Sequence, residues 1–457
     1  MPNSVRRRGS VAGWVAACVA ACLAGHAAEP SADPLAPPVE PIVRHATSSP
    51  DGSAAFTFVP ADLAGDTRHL PIGVFDSGIG GLTVLEAILA ADDFDNRTLE
   101  PGPDGRPDFA GERFVYLGDQ ANMPYGNYPR EGNEAFLREL ILKDAVFLLG
   151  RRFWPAADAA EPALDKPPVK AIVIACNTAT AYGIDDLRAA IGRWRVPVPV
   201  VGVVEAGARG VLQSDRSATR RDEAVAVLAT IGTCASNAYP QAIAATFGRA
   251  GRRAPEVVQR GFADLAAAVE GDPAVLARTS VERTIAADLR ELLDERRRTA
   301  ADRPVGTIVL GCTHFPLVRR QIVDELERLR RVEEDGGRPY EPLIAEEIEV
   351  VDPASLTAKE LFRTLALERL RADPLPGDAA AGHASPSVRA FISVAASSDE
   401  RGGGSERGAR VATFRRPVGR LDAEDTPVVT LTADLLPATS LSLIRSRLPT
   451  VWRSFGW

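Results

Sequence analysis

The apolar positions of this chain fall into a repeating rhythm. A short unbroken run of Val, Ile, Leu and Phe is followed by a tight polar or glycine-rich turn, and then by apolar residues at helical spacing. The rhythm starts at "LPIGVFDSGIGGLTVLEAILA", where "IGVF" predicts a strand, "DSGIGG" a turn and "LTVLEAILA" a helix. "FVYLGD" predicts the next strand, and the amphipathic "NEAFLRELILKDAVFLLGRRF" a long helix after it. The same unit returns in "VKAIVIACNTATAYGIDDLRAAI", "VPVVGVVEAGARGVL", "VAVLATIGTCASNAYPQAI" and "GTIVLGCTHFPLVRRQIVDEL". Strands without polar alternation are buried on both faces, which belongs to parallel sheets covered by helices. The predicted fold class is α/β, with open parallel sheets.

Some segments break the rhythm. "DDFDNRTLEPGPDGRPDFAGER" reads as a polar insertion and "SSDERGGGSERGAR" as a loop or linker. "RAFISVAAS", "ARVATFRR" and "TPVVTLTA" read as late strands added to an existing sheet. Residues 28–69, rich in Pro, Ala, Ser and Asp with little periodicity, read as a disordered linker.

With 457 residues the chain is too long for one core and predicts more than one domain. The net charge of −8, with no basic stripe beyond the extreme N-terminus, excludes nucleic acid as an expected partner. That N-terminus is distinct. "VRRRGS" followed by "VAGWVAACVAACLAG" has the basic and apolar regions of an export signal, and cleavage after Ala27 removes three Arg and no acid, taking the charge to −11. The expected location is therefore outside the cytoplasm, in the periplasm. One alternative is a lipoprotein, because "VAAC" ending at Cys22 resembles a lipobox, and membrane anchoring is expected only if Cys22 is lipidated; the other is an uncleaved leader that is no signal, which implies a cytoplasmic location.

Beyond the leader, Cys176, Cys234 and Cys312 remain, too few for a disulfide framework. "AIVIACNTAT" and "TIVLGCTHFP" repeat one local grammar: an apolar strand, a small residue, a cysteine, then hydrogen-bonding side chains. A lone buried cysteine is a small space-filling hydrophobe. Two at matched strand ends, each opening a helix whose N–H groups favour negative charge, read as a pair of acid/base thiols with lowered pKa. The other polar clusters, Asp76 and Ser77, Asp119 to Gly126, Glu205 and Thr233, also fall at strand ends, where open parallel sheets bind ligands. Cys234 reads as structural. Gly78, Gly80 and Gly81 depart from the dinucleotide spacing. A proton acceptor and a proton donor on opposite faces of a stereocentre are what a racemase requires.

The blocks "IGVFDSGIGGLTVL", "YLGDQANMPYG", "VIACNTATA", "PVVGVVEAG", "IGT" and "LGCTHFPLV", with an echo in "VDPASLTA", resemble the cofactor-independent glutamate racemases of the aspartate/glutamate racemase superfamily, in that family's order. The resemblance implies two pseudo-symmetric domains with the site between them: residues 70–198 together with about 318–435 in one, 199–317 in the other, and 436–457 as a tail. It implies a small amino-acid substrate and chemistry without cofactor or metal, with Cys176 and Cys312 as the bases, Asp76 assisting the first and His314 the second. Ser77, Asn177, Thr178 and Thr313 match the positions that hold the substrate's α-groups; Pro124, Tyr125, Gly126 and Thr233 belong to the substrate loops, and Glu205 to the pocket edge. A homodimer is left open.

Departures surround the side-chain pocket: "EAG" stands where "EPG" is usual, "GDQANMPYGNYP" lacks basic residues, and "VVQRGFADLAAAVE" lacks the usual character. Aspartate or another carboxylate is therefore the alternative substrate. An exported amino-acid or cell-wall-fragment binding protein without turnover is the alternative of another class. In an oxidising compartment, thiols whose Cα atoms lie within about 7 Å can be bridged, so the pocket is expected to hold Cys176 and Cys312 apart.

Overall fold

The computed structural model describes residues 39–214, 222–372, 386–395 and 416–457. Four strands, β1 (Ile72–Asp76), β2 (Arg113–Gly118), β3 (Ala171–Ile174) and β4 (Val200–Gly202), run parallel in the order β2-β1-β3-β4. Four more, β5 (Ala224–Thr230), β6 (Val257–Phe262), β7 (Val305–Gly311) and β8 (Ile344–Val351), form a second parallel sheet in the order β6-β5-β7-β8. The two orders are the same order. In each half the second strand lies on one side of the first and the third on the other, which puts a topological switch point between β1 and β3 and another between β5 and β7. Loops diverge at such points and leave a crevice at the carboxyl ends of the strands. The α/β class with open parallel sheets is what the structure has.

The sequence reasons are visible in the burial. Every residue of β1, β3 and β7 is buried. Alternate residues of the first sheet meet different layers. Ile72, Val74, Tyr116 and Val173 join one core with helices Leu82–Ala90 and Pro353–Leu367, while Gly73 on the opposite face approaches Leu148 of helix Glu134–Leu149.

Four boundaries differ from expectation. The chain leaves the first sheet after Gly202 rather than at 198, because β4 pairs with β3. It returns at Asp352 rather than near 318, because helix Arg319–Arg330 and β8 complete the second half. Two late strands, β9 (Ser387–Ser393) and β10 (Val428–Thr430), extend the first sheet beyond β2, with β10 antiparallel. Of the expected linker, the described part from Val39 onward is packed: Ile42, Val43, Phe58 and Leu63 are buried, and Phe58 meets the Trp194 ring edge-on at 5.2 Å. The expected tail forms two helices, Ala438–Arg447 and Pro449–Phe455, that bury Ile444, Leu448 and Val451 in the first core. The leader, "SSDERGGGSERGAR" and most of "ARVATFRR" lie outside the described residues. Among the described residues no helix is long and apolar enough to cross a membrane.

Candidate active site

The end of β1 delivers Asp76, and the turn after it folds back around the carboxylate. Asp76 Oδ2 accepts from the N–H groups of Gly78 (3.1 Å) and Gly81 (3.0 Å), while the buried Oδ1 has no hydrogen-bond partner. Burial raises this carboxyl to about 6, against the charge of nearby His314 and the two N–H groups.

Cys176 follows β3 as the N-cap of helix Asn177–Trp194. Its Sγ accepts from the N–H of Ala179 at 3.4 Å and lies 3.7 Å from Ser77 Oγ. The helix terminus was expected to lower this thiol, and the structure reverses that expectation. Burial first, and then the negative charge of Asp76, push Cys176 up, and these outweigh the N–H of Ala179 and the contacts with Ser77. Before substrate arrives Cys176 is therefore a thiol, with a carboxyl poised near neutrality beside it.

The second turn is built differently. Cys312 follows β7, and its Sγ lies 3.7 Å from His314 Nδ1; His314 Nε2 in turn lies 2.8 Å from Glu270 Oε1, all three residues being buried. Burial disfavours charge on the ring, but hydrogen bonds to Cys312 and Glu270 prevail and hold His314 well above its ordinary value. At neutral pH it is an imidazolium between a sulfur and a carboxylate.

Contacts across the seam turn the two halves toward each other. Tyr239 donates its hydroxyl to Asn177 Oδ1 at 2.6 Å, and Thr178 Oγ1 lies 3.0 Å from Thr233 Oγ1 and 3.2 Å from Thr230 Oγ1. Thr83 Oγ1 lies 2.9 Å from the Thr313 carbonyl. Gly80 sits directly against the second turn: a Cβ there would lie 2.3 Å from His314 Cε1 and 2.6 Å from Thr313 Oγ1. At such distances the His314 ring and the Thr313 side chain must shift, and overpacking of this kind costs about 1–3 kcal/mol. Gly80→Ala is accordingly expected to lower kcat/KM about 10- to 100-fold in steady-state assays, and an unchanged value would show that the halves need not close this tightly. Of the glycines of "DSGIGG", Gly80 thus serves close approach between the halves, while Gly78 and Gly81 make room for Gln120, Met123 and Asp76 within the first half.

The expected site residues therefore converge, with two corrections. Gly126, two residues after Pro124, packs against Gly232 of the short helix Ile231–Ala235 that follows β5. Tyr125, however, is buried away from that contact, its hydroxyl between Asp119 Oδ2 (2.6 Å) and Asp144 Oδ2 (2.7 Å), so it supports the loop from behind. Glu205 pairs with Arg188 at 3.1 Å and crowds Gly202, which ties it to helix Asn177–Trp194 rather than to the two thiols. Cys234 is half-buried beside the Tyr239 cluster, where burial pushes its thiol up to about 12. All three described cysteines are free. Sequence reading missed Glu270, Tyr239 and Thr83. For Glu270 a signal existed: a carboxylate closes the otherwise apolar helix "LAAAVE".

Among the described residues no cluster of three His, Cys, Asp or Glu is arranged to hold a metal. The class defined by this fold and site is that of α/β proteins with a cysteine turn after the equivalent strand of each of two matched parallel sheets. Residues 151–361 match the Asp/Glu/hydantoin racemase family. A glutamate racemase of Limosilactobacillus fermentum is 32% identical over 252 residues, covering 55% of this chain and 71% of that protein. One from Lysinibacillus sphaericus is 30% identical over 335 residues, covering 73% of this chain and 96% of that protein. A solved glutamate racemase isoform from Bacillus anthracis is 26% identical, with a TM-score of 0.47 over 71% of this chain and 89% of that one. The chain belongs to the glutamate racemase family.

Proposed function

We propose that this protein interconverts L- and D-glutamate by a two-cysteine mechanism. The observation that carries the proposal is that Cys176 and Cys312 stand at equivalent strand ends of two matched sheets, each beside its own proton partner: Asp76 for the first, and the His314–Glu270 pair for the second. One cysteine, as thiolate, removes the α-proton and becomes a thiol, and the electron pair passes into the enolate of the substrate's α-carboxylate. The facing cysteine, as thiol, protonates Cα from the other side and becomes a thiolate. Asp76 and His314 then restore the starting protonation.

The binding groups suit an amino acid. Tyr239 donating to Asn177 Oδ1 fixes that amide so that Nδ2 is the group left to donate to a carboxylate, and Ser77, Thr178 and Thr313 add hydroxyls around the same seam.

Following the α-proton of L- and D-glutamate by NMR in deuterated buffer tests the reading, with aspartate in parallel. Exchange with inversion of glutamate is expected; folded, reduced protein that exchanges neither glutamate enantiomer would end the proposal. The pH profile adds a second check. Asp76 accepts a proton only when ionised, so kcat/KM is expected to rise with pH through about 6 and to fall on acidification through the same range. Asp76→Asn should lower kcat/KM about 100-fold and remove that limb. A limb that persists in the variant would assign it to another group.

A further inference from the structure

The helical hairpin that ends the chain has a foot on each half of the molecule. On the first half, Glu86 of helix Leu82–Ala90 accepts from the N–H groups of Thr450 (3.0 and 2.9 Å) and Val451 (2.7 Å), which opens helix Pro449–Phe455 on a carboxylate. Ile444, Leu448 and Val451 fasten the same hairpin into the first core. On the second half, Thr439 Oγ1 donates to the backbone carbonyl of Glu270 at 3.2 Å.

That carbonyl stands at a sensitive place. Glu270 is the last residue of the six-residue helix Leu265–Glu270, and the final carbonyls of a helix have no partner within it. A helix this short does not hold its own last turn. Gly271, left-handed with φ of +82°, ends it, and a Cβ there would lie 2.8 Å from Thr439 Cβ, so hairpin and helix end are seated on each other. The side chain of the same Glu270 holds His314 Nε2 at 2.8 Å, and His314 Nδ1 faces Cys312 Sγ. Four residues thus connect the surface of the hairpin to the second thiol.

We infer that the C-terminal hairpin is a strap across the two halves that holds the Glu270–His314–Cys312 side of the site in register, with Thr439 as its positioning residue. The inference rests on the racemase reading above for its kinetic consequence. Losing the Thr439 hydroxyl lets the last turn of the helix relax and draws the Glu270 carboxylate away from His314, so the imidazolium is less well placed against Cys312. Of the groups that hold the substrate, Ser77, Asn177 and Thr178 lie on the other side of the seam and are untouched; Thr313 shares the Cys312–His314 turn, but its carbonyl is held by Thr83 of the first half. The effect therefore falls mainly on kcat.

The test compares the full chain with Thr439→Val, which keeps the shape, and Thr439→Ser, which keeps the hydroxyl; Thr439 is exposed, so neither change threatens folding. Glutamate turnover is measured together with iodoacetamide alkylation of Cys312 and Cys176, resolved by peptide mass spectrometry without substrate. Thr439→Val is expected to lower kcat about three- to tenfold with KM within about twofold, and to slow Cys312 alkylation by a similar factor relative to Cys176, since the thiolate is the form that reacts. Thr439→Ser should restore both. Unchanged Cys312 alkylation in Thr439→Val, or equal changes at both cysteines, would overturn the strap. A parent protein inactive on glutamate whose Cys312 alkylation still responds selectively would uphold the strap and overturn the racemase reading.

Discussion

Cys176→Ala and Cys312→Ala are each expected to reduce inversion of glutamate by at least about 10³-fold, the upper part of the range for loss of a positioned acid or base. The two variants should fail in different ways. Each retains one thiol on one face of the substrate, so each is expected to exchange the α-proton of a single enantiomer with retention of configuration, and the enantiomer should differ between them. Proton NMR in deuterated buffer, run separately on L- and D-glutamate, reads both properties. Either variant keeping more than about a tenth of the parent's inversion rate would show that its cysteine is not a base in the reaction, a threshold far above the expected residue of activity. Because Cys176 is held as a thiol by burial and by Asp76, while Cys312 faces an imidazolium, the two rates of exchange need not match.

The second large effect is on stability, at the support behind the substrate loop. Tyr125 places one hydroxyl proton between two buried carboxyls, Asp119 at 2.6 Å and Asp144 at 2.7 Å. Both contacts are hydrogen bonds only if one carboxyl brings a proton of its own. Asp119 also accepts from Ser393 Oγ (2.6 Å) and Asn122 Nδ2 (2.7 Å), a set of donors that suits an anion. Asp144 is therefore the protonated member, and burial together with the charge of Asp119 holds it well above the ordinary carboxylate value. An amide imitates a protonated carboxyl and not an ionised one. Asp144→Asn is expected to cost less than about 1 kcal/mol, and Asp119→Asn about 2–4 kcal/mol, because the latter leaves buried donors facing an amide. Urea unfolding at neutral pH measures the difference, and equal losses would refute the assignment of the proton. The sign of the pH dependence follows. Asp144 binds its proton more tightly folded than unfolded, so the parent loses stability as pH rises above the ordinary carboxylate range, and Asp144→Asn should flatten that slope.

Local patterns in the chain carried much of this site. Strand ends are legible because the apolar run stops where the backbone turns into a helix, and a polar residue at that point has nowhere to go but the crevice. That is why Asp76, Cys176, Cys312 and His314 are legible from the sequence as strand-end residues, and why Thr178 and Thr233, far apart in the chain, come within hydrogen-bond reach of each other. The same local logic failed where the answer depended on neighbours from elsewhere. Tyr125 stands in a substrate-loop motif, yet its side chain turns backward because two buried carboxyls from the first half lie behind it.

Charge states went the same way. A helix N-terminus predicts a lowered thiol, and Cys176 does occupy one; only the packing shows that burial and an adjacent carboxylate outweigh the terminus. The partnerships of Glu270 and Thr439 could be reached only through the fold, since their partners His314 and the Glu270 carbonyl come from segments separated by 44 and 169 positions. Periodicity and turn chemistry act over a few residues, so the succession of strands and helices along the chain, the class of fold and the pair of cysteine turns were written in short stretches of sequence. Burial, proton positions and contacts across the seam are sums over the whole chain brought together, and they exist only once the two sheets have closed on each other.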